Sequence, residues 1–397
     1  MHSSSPAVTT SIQGVSVASI ARDVGTPVYV YDAAVLHDTV TQVAIALTDR
    51  ARPAFRLQAN PNVSVCAAIH TAGAVAVVGS PAELTTALLA GCDADQIVFA
   101  TVDASEDVEA CLRSGVGVIV AADLEQLTLI DRVATARGTR APVGVQLDLG
   151  IDEKDLGKAA FAARFPSLDL IAVRSNRPPA SLSRAVAGPD SVRHLIDTAR
   201  RIDQMHPLRL VLLGDDLNPT VSSAAQSDAD QLSAFLEPVG AADVLVEYGL
   251  SFTRPAGLLV ARVRNATDRG DTQHVVTDID LVTDQHQAAP VLLPDDEGRG
   301  ERASLLRGPD PSGQPSPVQL PVVRPGDLLA VRHGGPVGVP MPMRQVLSRG
   351  LPAEVLVADA QPRLIRVADT TEDLLRGQRL VRSEHNPSRT GRAHPIG

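Results

Sequence analysis

The sequence predicts an α/β protein in which a (β/α)8 barrel is followed by a C-terminal β domain. Eight apolar runs of strand length alternate with helical patterns in the first part of the chain, which is typical of a parallel barrel. After Ala261 the long helical patterns stop, and short β-runs separated by Pro and Gly take their place. A doubly wound parallel sheet is the alternative, because alternating strands and helices also build that fold.

The eight predicted barrel strands are short runs of Val, Ile, Leu and Ala that lack the spacing of an amphipathic helix. In chain order they are Ala54–Leu57, Ala74–Val78, Gln96–Ala100, Gly117–Ala121, Pro142–Asp148, Leu168–Val173, Leu208–Leu213 and Val244–Glu247. Apolar residues at helical spacing lie between them, in Pro81–Ala90, Asp107–Ser114, Leu124–Ala136 and Asp190–Met205.

The β domain is predicted from six further runs, which are Val275–Val282, Ala289–Leu293, Ser304–Leu306, Leu328–Val331, Glu354–Val357 and Arg363–Ala368. The segment Pro309–Pro325 is rich in Pro, Ser and Gln and is predicted to be a surface loop. The chain therefore divides into an N-terminal segment (1–32), the barrel (33–262), the β domain (263–381) and a flexible tail (382–397).

Composition excludes several classes of function. The chain of 397 residues carries 36 basic and 46 acidic residues and no Trp, which argues against a nucleic-acid partner. No run of 18 apolar residues and no cationic leader is present, so we expect no membrane association and a cytoplasmic protein. The three cysteines, Cys66, Cys92 and Cys111, lack metal-site spacing and are expected to be reduced and structural.

Lysine is nearly absent. Only Lys154 and Lys158 are lysines, and the other basic residues are arginines. Any reaction that needs a lysine amine is therefore restricted to these two positions.

Several local strings resemble the fold-type III pyridoxal-phosphate decarboxylases, an alanine racemase/decarboxylase type of architecture. Phe55-Arg56-Leu57-Gln58-Ala59-Asn60 resembles the family's Tyr-Ala-x-Lys-Ala-Asn, and Val78–Leu84 resembles its Val-Val-Ser-x-Gly-Glu-Leu. Further similar strings are Gly25–Asp32, Pro325–Val331 and Pro352–Val357. Diaminopimelate decarboxylase is the most similar in character, with ornithine decarboxylase in the same group.

The resemblance implies more than the barrel and the β domain. It implies that the strand near Thr26–Asp32 joins the β domain, and that two chains form a head-to-tail homodimer with a shared site. It also implies a pyridoxal phosphate held as a Schiff base on a lysine.

The residues that would hold that cofactor are altered. The family's lysine falls on Gln58, whose amide nitrogen is not a usable nucleophile. The Gly-rich phosphate turn matches Gly214-Asp215-Asp216, and two carboxylates would repel a phosphate dianion. Glu247 falls where the family pairs a Glu with the pyridine nitrogen, but the arginine of that motif is missing.

Three further family positions are changed as well. The ring-stacking histidine aligns with Val173, and the Cys-Glu-Ser-Gly-Asp string aligns with Asp310–Gln314. The family's Gly-Ala-Tyr-Gly tyrosine falls on Pro336 or Val337. These losses indicate that pyridoxal phosphate is not a cofactor here, although the family uses it.

The leading hypothesis is a decarboxylase-like protein that has lost pyridoxal-phosphate chemistry. It would be a non-catalytic binding or regulatory subunit, or a repurposed enzyme that works without the cofactor. Its partners would be a second copy of the chain and either a small amino-acid-like ligand or a partner protein. The predicted pocket consists of Gln58, Asn60, Asp148, Gly214, Asp215, Asp216 and Glu247.

Two other functions remain open from the sequence. An active amino-acid decarboxylase could use Lys154 or Lys158 in place of the missing lysine. A cation-assisted enzyme could gather Asp148, Asp215, Asp216 and Glu247 around Mg²⁺ or Ca²⁺, although such residues are also common in solvated turns, so no metal site is assigned. Gln58 itself is either a ligand-binding amide or a relic held by local hydrogen bonds.

Overall fold

The computed structural model describes residues 10–148, 152–175, 189–214, 236–281, 290–293, 298–310, 313–332 and 348–379. Of the predicted features, Asp215, Asp216, the Pro336–Val337 position and the tail 382–397 lie outside the described residues.

The strands of the described residues are β1 (Ser11–Ile12), β2 (Val15–Ser16), β3 (Val28–Asp32), β4 (Arg52–Arg56), β5 (Val75–Val78), β6 (Val98–Phe99), β7 (Val118–Ala121), β8 (Ala141–Leu147), β9 (Leu168–Ser175), β10 (Leu210–Leu213), β11 (Asp243–Tyr248), β12 (Gly257–Arg269), β13 (Thr272–Thr277), β14 (Val291–Leu293), β15 (Glu301–Arg307), β16 (Ser316–Pro321), β17 (Leu328–Arg332), β18 (Ala353–Ala358) and β19 (Gln361–Arg366). The α-helices are α1 (Val17–Val24), α2 (Ala33–Leu47), α3 (Val63–Thr71), α4 (Pro81–Leu89), α5 (Ser105–Ser114), α6 (Leu124–Arg137), α7 (Asp152–Ala162), α8 (Pro189–Asp203), α9 (Leu250–Thr253) and α10 (Thr371–Leu375).

The core of the molecule is a closed parallel barrel. Its strands follow one another in the order β10-β11-β4-β5-β6-β7-β8-β9, and every neighbouring pair is parallel. All eight predicted strands are present, which confirms the (β/α)8 barrel and excludes the doubly wound sheet, because that fold leaves two open edges.

Side chains alternate between the two faces of the barrel wall. Inward-facing residues such as Ala54, Val77 and Leu245 form a small apolar cluster inside the barrel. Their neighbours, such as Phe55 and Val246, face outward and pack in the large core beneath the helices. Because the side-chain period of a strand is two residues, the inward face can be followed along each strand to its carboxyl end.

Local signals set the helices that follow the strands. The Ser80 hydroxyl accepts from the Glu83 N–H at the start of α4, and the Asp123 carboxylate accepts from the Gln126 N–H at the start of α6. At the end of α6, Gly138 adopts a left-handed conformation with φ of 63°, which a residue with a Cβ rarely does. The two N-caps fix where α4 and α6 begin, and Gly138 fixes where α6 ends.

The β domain is a sheet in the order β16-β15-β13-β12-β3-β18-β19, with β17 also paired to β12 and β14 paired to β17. The N-terminal strand β3 lies in this sheet, parallel to β18 and antiparallel to β12. Strand β12 runs across the predicted boundary at 262 and 263 and pairs only with strands of this sheet. The β domain therefore begins at Gly257, earlier than the sequence predicted.

The prediction of a surface loop over Pro309–Pro325 is wrong in part. The segment contains β16, which pairs antiparallel with β15 and buries Leu320. The prolines of this segment argue against a strand. However, β16 lies at the edge of the sheet, where one side of the strand has no hydrogen-bonded neighbour and residues such as Pro317 and Pro321, which lack an N–H, are tolerated.

Two composition-based expectations can be compared with the described chain. Cys66, Cys92 and Cys111 are buried and free of disulfides. No helix among the described residues combines the length and the apolar character that a bilayer crossing requires.

Candidate functional site

Five neighbouring strands bring one residue each to the inward face at the carboxyl end of the barrel. On each of β8, β9, β10, β11 and β4, this residue stands two positions after an inward-facing residue of the same strand, toward the carboxyl end. We call this set the mouth ring, and it consists of Gln146, Arg174, Gly214, Glu247 and Arg56. In barrel enzymes this end of the strands carries the active site.

The centre of the mouth ring is an ion pair between Arg174 and Glu247. Arg174 Nε lies 2.6 Å from Glu247 Oε1, and Arg174 Nη2 lies 2.9 Å from Glu247 Oε2, so both carboxylate oxygens accept from one guanidinium fork. Arg174 also donates through Nη1 to the Gln146 side-chain oxygen at 3.0 Å. Such a planar two-bond pair is the strongest form of a charge-assisted hydrogen bond.

This pair is almost completely withdrawn from water. The Arg174 side chain is 7% exposed, and that of Glu247 is fully buried. Burial alone would lower the pKa of Arg174, but the charge and hydrogen bonds of Glu247 raise it above its ordinary value. The guanidinium is therefore fixed in its charged form beside a buried carboxylate.

Gly214 makes room for this arrangement. Its N–H donates to the Ser175 hydroxyl at 3.2 Å. A Cβ at this position would lie 2.7 Å from the Ser175 carbonyl oxygen and 3.6 Å from Arg174 Nη2. A larger residue would collide with the neighbouring strand, so glycine here admits the Arg174 head group next to the strand end.

Arg56 is the second cation of the mouth ring. Its side chain is 25% exposed, and its Nη1 lies 4.0 Å from Glu247 Oε2. That distance permits electrostatic attraction but is too long for a hydrogen bond. Within the described ranges, Arg56 makes no side-chain hydrogen bond and no other ion pair.

The three remaining strands end in small residues. Two positions beyond the inward Val77, Val98 and Val120 of β5, β6 and β7 stand Gly79, Ala100 and Ala122. The mouth therefore has polar side chains on four strands, glycine on a fifth and small side chains or glycine on the other three.

Gln58 lies beside the mouth ring, in the short 3-10 turn Leu57–Ala59 that follows β4. It is exposed, and its amide has no hydrogen bond among the described residues. The described residues therefore give no support to the alternative that Gln58 is a relic held by local hydrogen bonds. Its amide is available to a ligand.

Asn60 does not line the mouth, so its placement in the predicted pocket is wrong. It is fully buried, and its amide nitrogen donates to the Tyr31 hydroxyl at 3.1 Å. Tyr31 in turn donates to Glu354 Oε2 at 2.9 Å, which links the barrel to β3 and β18 of the β domain. Burial raises the pKa of Glu354, although the hydrogen bonds from Tyr31 and Asn62 oppose that rise.

Asp148 and the two lysines form a separate ionic cluster. Lys154 Nζ lies 2.8 Å from Asp148 Oδ2, and Lys158 Nζ lies 3.1 Å from the same oxygen. Lys158 is buried, donates to the Gln146 carbonyl oxygen at 2.8 Å and lies 3.8 Å from Asp155 Oδ1. The hydrogen bond from Lys154 is the main reason why the pKa of Asp148 falls below its ordinary value.

The predicted carboxylate cluster is not assembled by the described residues. Asp148 is neutralised by the lysines and Glu247 by Arg174, so each carboxylate already has its own cation. Within the described ranges, no group of three or more His, Cys, Asp or Glu side chains is arranged to hold a metal ion. Asp215 and Asp216 lie outside those ranges.

Sequence analysis missed Arg56, Arg174 and Gln146 as mouth residues. Val173, the position aligned with the family's histidine, is fully buried in the outer core, and Arg174 is the inward-facing residue. The two-residue alternation from the apolar runs could have found Arg56, since it follows Ala54. As a set, the mouth ring offers guanidinium, carboxylate and amide groups but no amine, thiol or imidazole.

Comparisons with known proteins agree with the architecture. The family model described as "Pyridoxal-dependent decarboxylase, pyridoxal binding domain" matches residues 34–160. Diaminopimelate decarboxylase of Pseudomonas aeruginosa is 27% identical over 93% of this chain and 96% of the relative. That of Zymomonas mobilis is 23% identical over 94% of this chain and 97% of the relative.

Solved structures show the same fold. Diaminopimelate decarboxylase from M. jannaschii in co-complex with L-lysine has a TM-score of 0.82 at 18% identity, covering 94% of this chain and 96% of that one. The Helicobacter pylori enzyme complexed with L-lysine has a TM-score of 0.77 at 19% identity, covering 90% and 98%. The pyridoxal-binding model, the end-to-end similarity and the shared barrel and β domain show that the chain is similar to the fold-type III pyridoxal-phosphate decarboxylases and has their fold.

Proposed function

We propose that this chain is a family member without pyridoxal-phosphate Schiff-base chemistry, and that its barrel mouth is a non-catalytic binding site for an amino-acid-like ligand. The observation that carries the proposal is the buried fork between Arg174 and Glu247. The named activity of its relatives, decarboxylation of diaminopimelate, makes an amino acid the natural class of ligand.

The fork leaves Glu247 unsuited to the family role. A carboxylate that pairs with a pyridine nitrogen offers one oxygen to it, and because both Glu247 oxygens already accept from Arg174, that nitrogen would have to share or displace one bond of the fork. Displacing Arg174 would leave a guanidinium that is 7% exposed without its partner. An uncompensated buried charge costs several kcal/mol, and binding of the pyridine ring of the cofactor would carry that cost.

The missing amine supports the same proposal. Gln58 carries an amide at the position of the family's lysine, and an amide does not attack an aldehyde. Lys158 is buried and holds the Gln146 carbonyl and Asp148, and Lys154 holds Asp148. An attacking amine must be neutral, so these paired ammonium groups give the relocated-lysine alternative no support.

The test restores the lysine alone. We expect Gln58→Lys, supplied with pyridoxal phosphate, to release no CO₂ from meso-diaminopimelate or L-ornithine above the level of the matched Gln58→Met variant. The reason is that Arg174 still occupies Glu247 in both variants. Turnover in Gln58→Lys at a rate typical of enzymes, about 1 s⁻¹ or more, would overturn the proposal.

Two accompanying features remain predictions. The head-to-tail homodimer follows from the resemblance, and sedimentation analysis of the purified chain tests it. The cytoplasmic location follows from the composition and cysteine pattern, and cell fractionation tests it.

A further inference from the structure

Building on the proposed function, we propose that Arg56 binds the single carboxylate of a small ligand at the barrel mouth. The inference names the chemical class of the ligand and the group that holds it. It depends on the mouth ring and on the residues opposite to it.

The charges of the mouth ring do not balance. Arg174 and Glu247 neutralise each other through two short hydrogen bonds. Arg56 adds a second positive charge, and its nearest carboxylate is the already paired Glu247 at 4.0 Å. The mouth ring therefore carries one net positive charge.

The burial of Arg56 makes this excess significant. Three quarters of its side chain is withdrawn from water, yet the guanidinium has no hydrogen-bond partner in the described part of the chain. A guanidinium presents several N–H donors in a planar fork, and a carboxylate is its geometric match. An anionic ligand would satisfy donors for which the described residues supply no acceptor.

The net charge of the mouth ring favours one carboxylate over a doubly charged anion. One carboxylate brings the mouth ring to neutrality. A phosphate dianion would add a second negative charge close to Glu247, which lies 4.0 Å from Arg56, and would be repelled. The strands opposite end in the small residues Gly79, Ala100 and Ala122, and the exposed Gln58 amide can donate to such a ligand.

The test compares three carboxylates with their neutral amides. Acetate, propionate and butyrate are titrated into the full chain against acetamide, propionamide and butyramide, and binding is followed by saturation-transfer NMR. We expect saturable binding of the carboxylates, weak or absent binding of the amides, and weaker binding of inorganic phosphate.

Two variants locate the site. Arg56→Ala should weaken carboxylate binding about 10- to 100-fold, the range for a hydrogen-bonded charge pair. Arg56→Lys, which keeps the charge but loses the fork, should recover part of it. Arg52→Ala is the matched control, because Arg52 begins the same strand and holds an exposed pair with Asp243 at the opposite end of the barrel. Circular dichroism confirms that each variant is folded.

The inference is overturned if wild type binds no carboxylate saturably, if the amides or phosphate bind as well, or if Arg56→Ala binds unchanged. Its failure is separable from that of the proposed function. A reducible pyridoxal-phosphate adduct would refute the proposed function whatever the carboxylates do. Loss of carboxylate binding without such an adduct refutes only the role of Arg56.

Discussion

Removing Arg174 tests whether the mouth is held together by a buried charge pair. In Arg174→Met the fully buried Glu247 carboxylate loses both of its short hydrogen bonds, and among the described residues it keeps only Arg56 as a nearby cation, at 4.0 Å. Methionine is chosen because it fills much of the volume of the arginine stem without offering a donor.

The expected cost follows from these distances. Breaking a buried pair by removing one partner costs about 3 to 5 kcal/mol. At 4 Å and an effective dielectric of about 20, Arg56 attracts Glu247 by up to about 4 kcal/mol, and because this attraction is present in both wild type and variant, it keeps the carboxylate partly compensated without removing the loss. We therefore expect Arg174→Met to lose about 3 kcal/mol, at the lower end of the range.

Urea unfolding followed by circular dichroism at neutral pH measures this cost from the midpoint, provided that the slope is unchanged. The double variant Arg174→Met with Glu247→Gln should recover most of the loss, because the fully buried Glu247 charge is removed together with its partner. Arg52→Met, which breaks an exposed pair, should change stability by less than about 1 kcal/mol. A loss in Arg174→Met no larger than that of Arg52→Met, or a double variant as unstable as the single one, would refute the reasoning.

Two further predictions concern groups outside the mouth ring. Lys158→Met should lower the free energy of unfolding by about 2 to 4 kcal/mol, because it leaves the buried Asp155 without its nearby cation. Lys154→Met is the control and should change the urea midpoint little. Equal midpoints for the two variants would contradict the role of Lys158 in the cluster. Burial raises the pKa of Glu354, so this carboxyl binds its proton more tightly in the folded state than in the unfolded state. Its contribution to the free energy of unfolding is therefore full below about pH 4 and is lost as pH rises through the raised pKa. Glu354→Gln, which still accepts from Tyr31, should lack that decline, and midpoints of wild type and variant that shift in parallel between pH 4.5 and 7.5 would contradict it.

The sequence was sufficient for the barrel because the signal there is local. Each strand is a run of apolar residues with its own stop, and the helix caps such as Ser80 and Asp123 are visible in the letters. Strand β16 was missed because proline is compatible with an edge strand, and the position of a strand at an edge is a property of the whole sheet.

The candidate site was less accessible for a physical reason. The strand ends carrying Gly214 and Glu247 could be predicted from motif spacing, but the partner of Glu247 could not. Arg174 faces inward and Val173 outward because of the register between β8 and β9, which shifts between Val143 and Gly144. A one-residue slip exchanges the two faces of a strand, and only closure of the barrel fixes which face is inside.

Asn60 illustrates the same limit. Its motif predicted a pocket residue, yet its amide is used to join two domains through Tyr31 and Glu354. That contact spans residues far apart in the chain, so no local pattern signals it.

The proposed loss of Schiff-base chemistry is tested most directly by titrating the purified full chain with pyridoxal phosphate, reducing with borohydride and mapping the peptides. We expect no saturable absorbance change and no reduced adduct on Lys154 or Lys158, because both ammonium groups are held by Asp148. A stoichiometric adduct on either lysine would contradict the proposed function and support the alternative of an active decarboxylase.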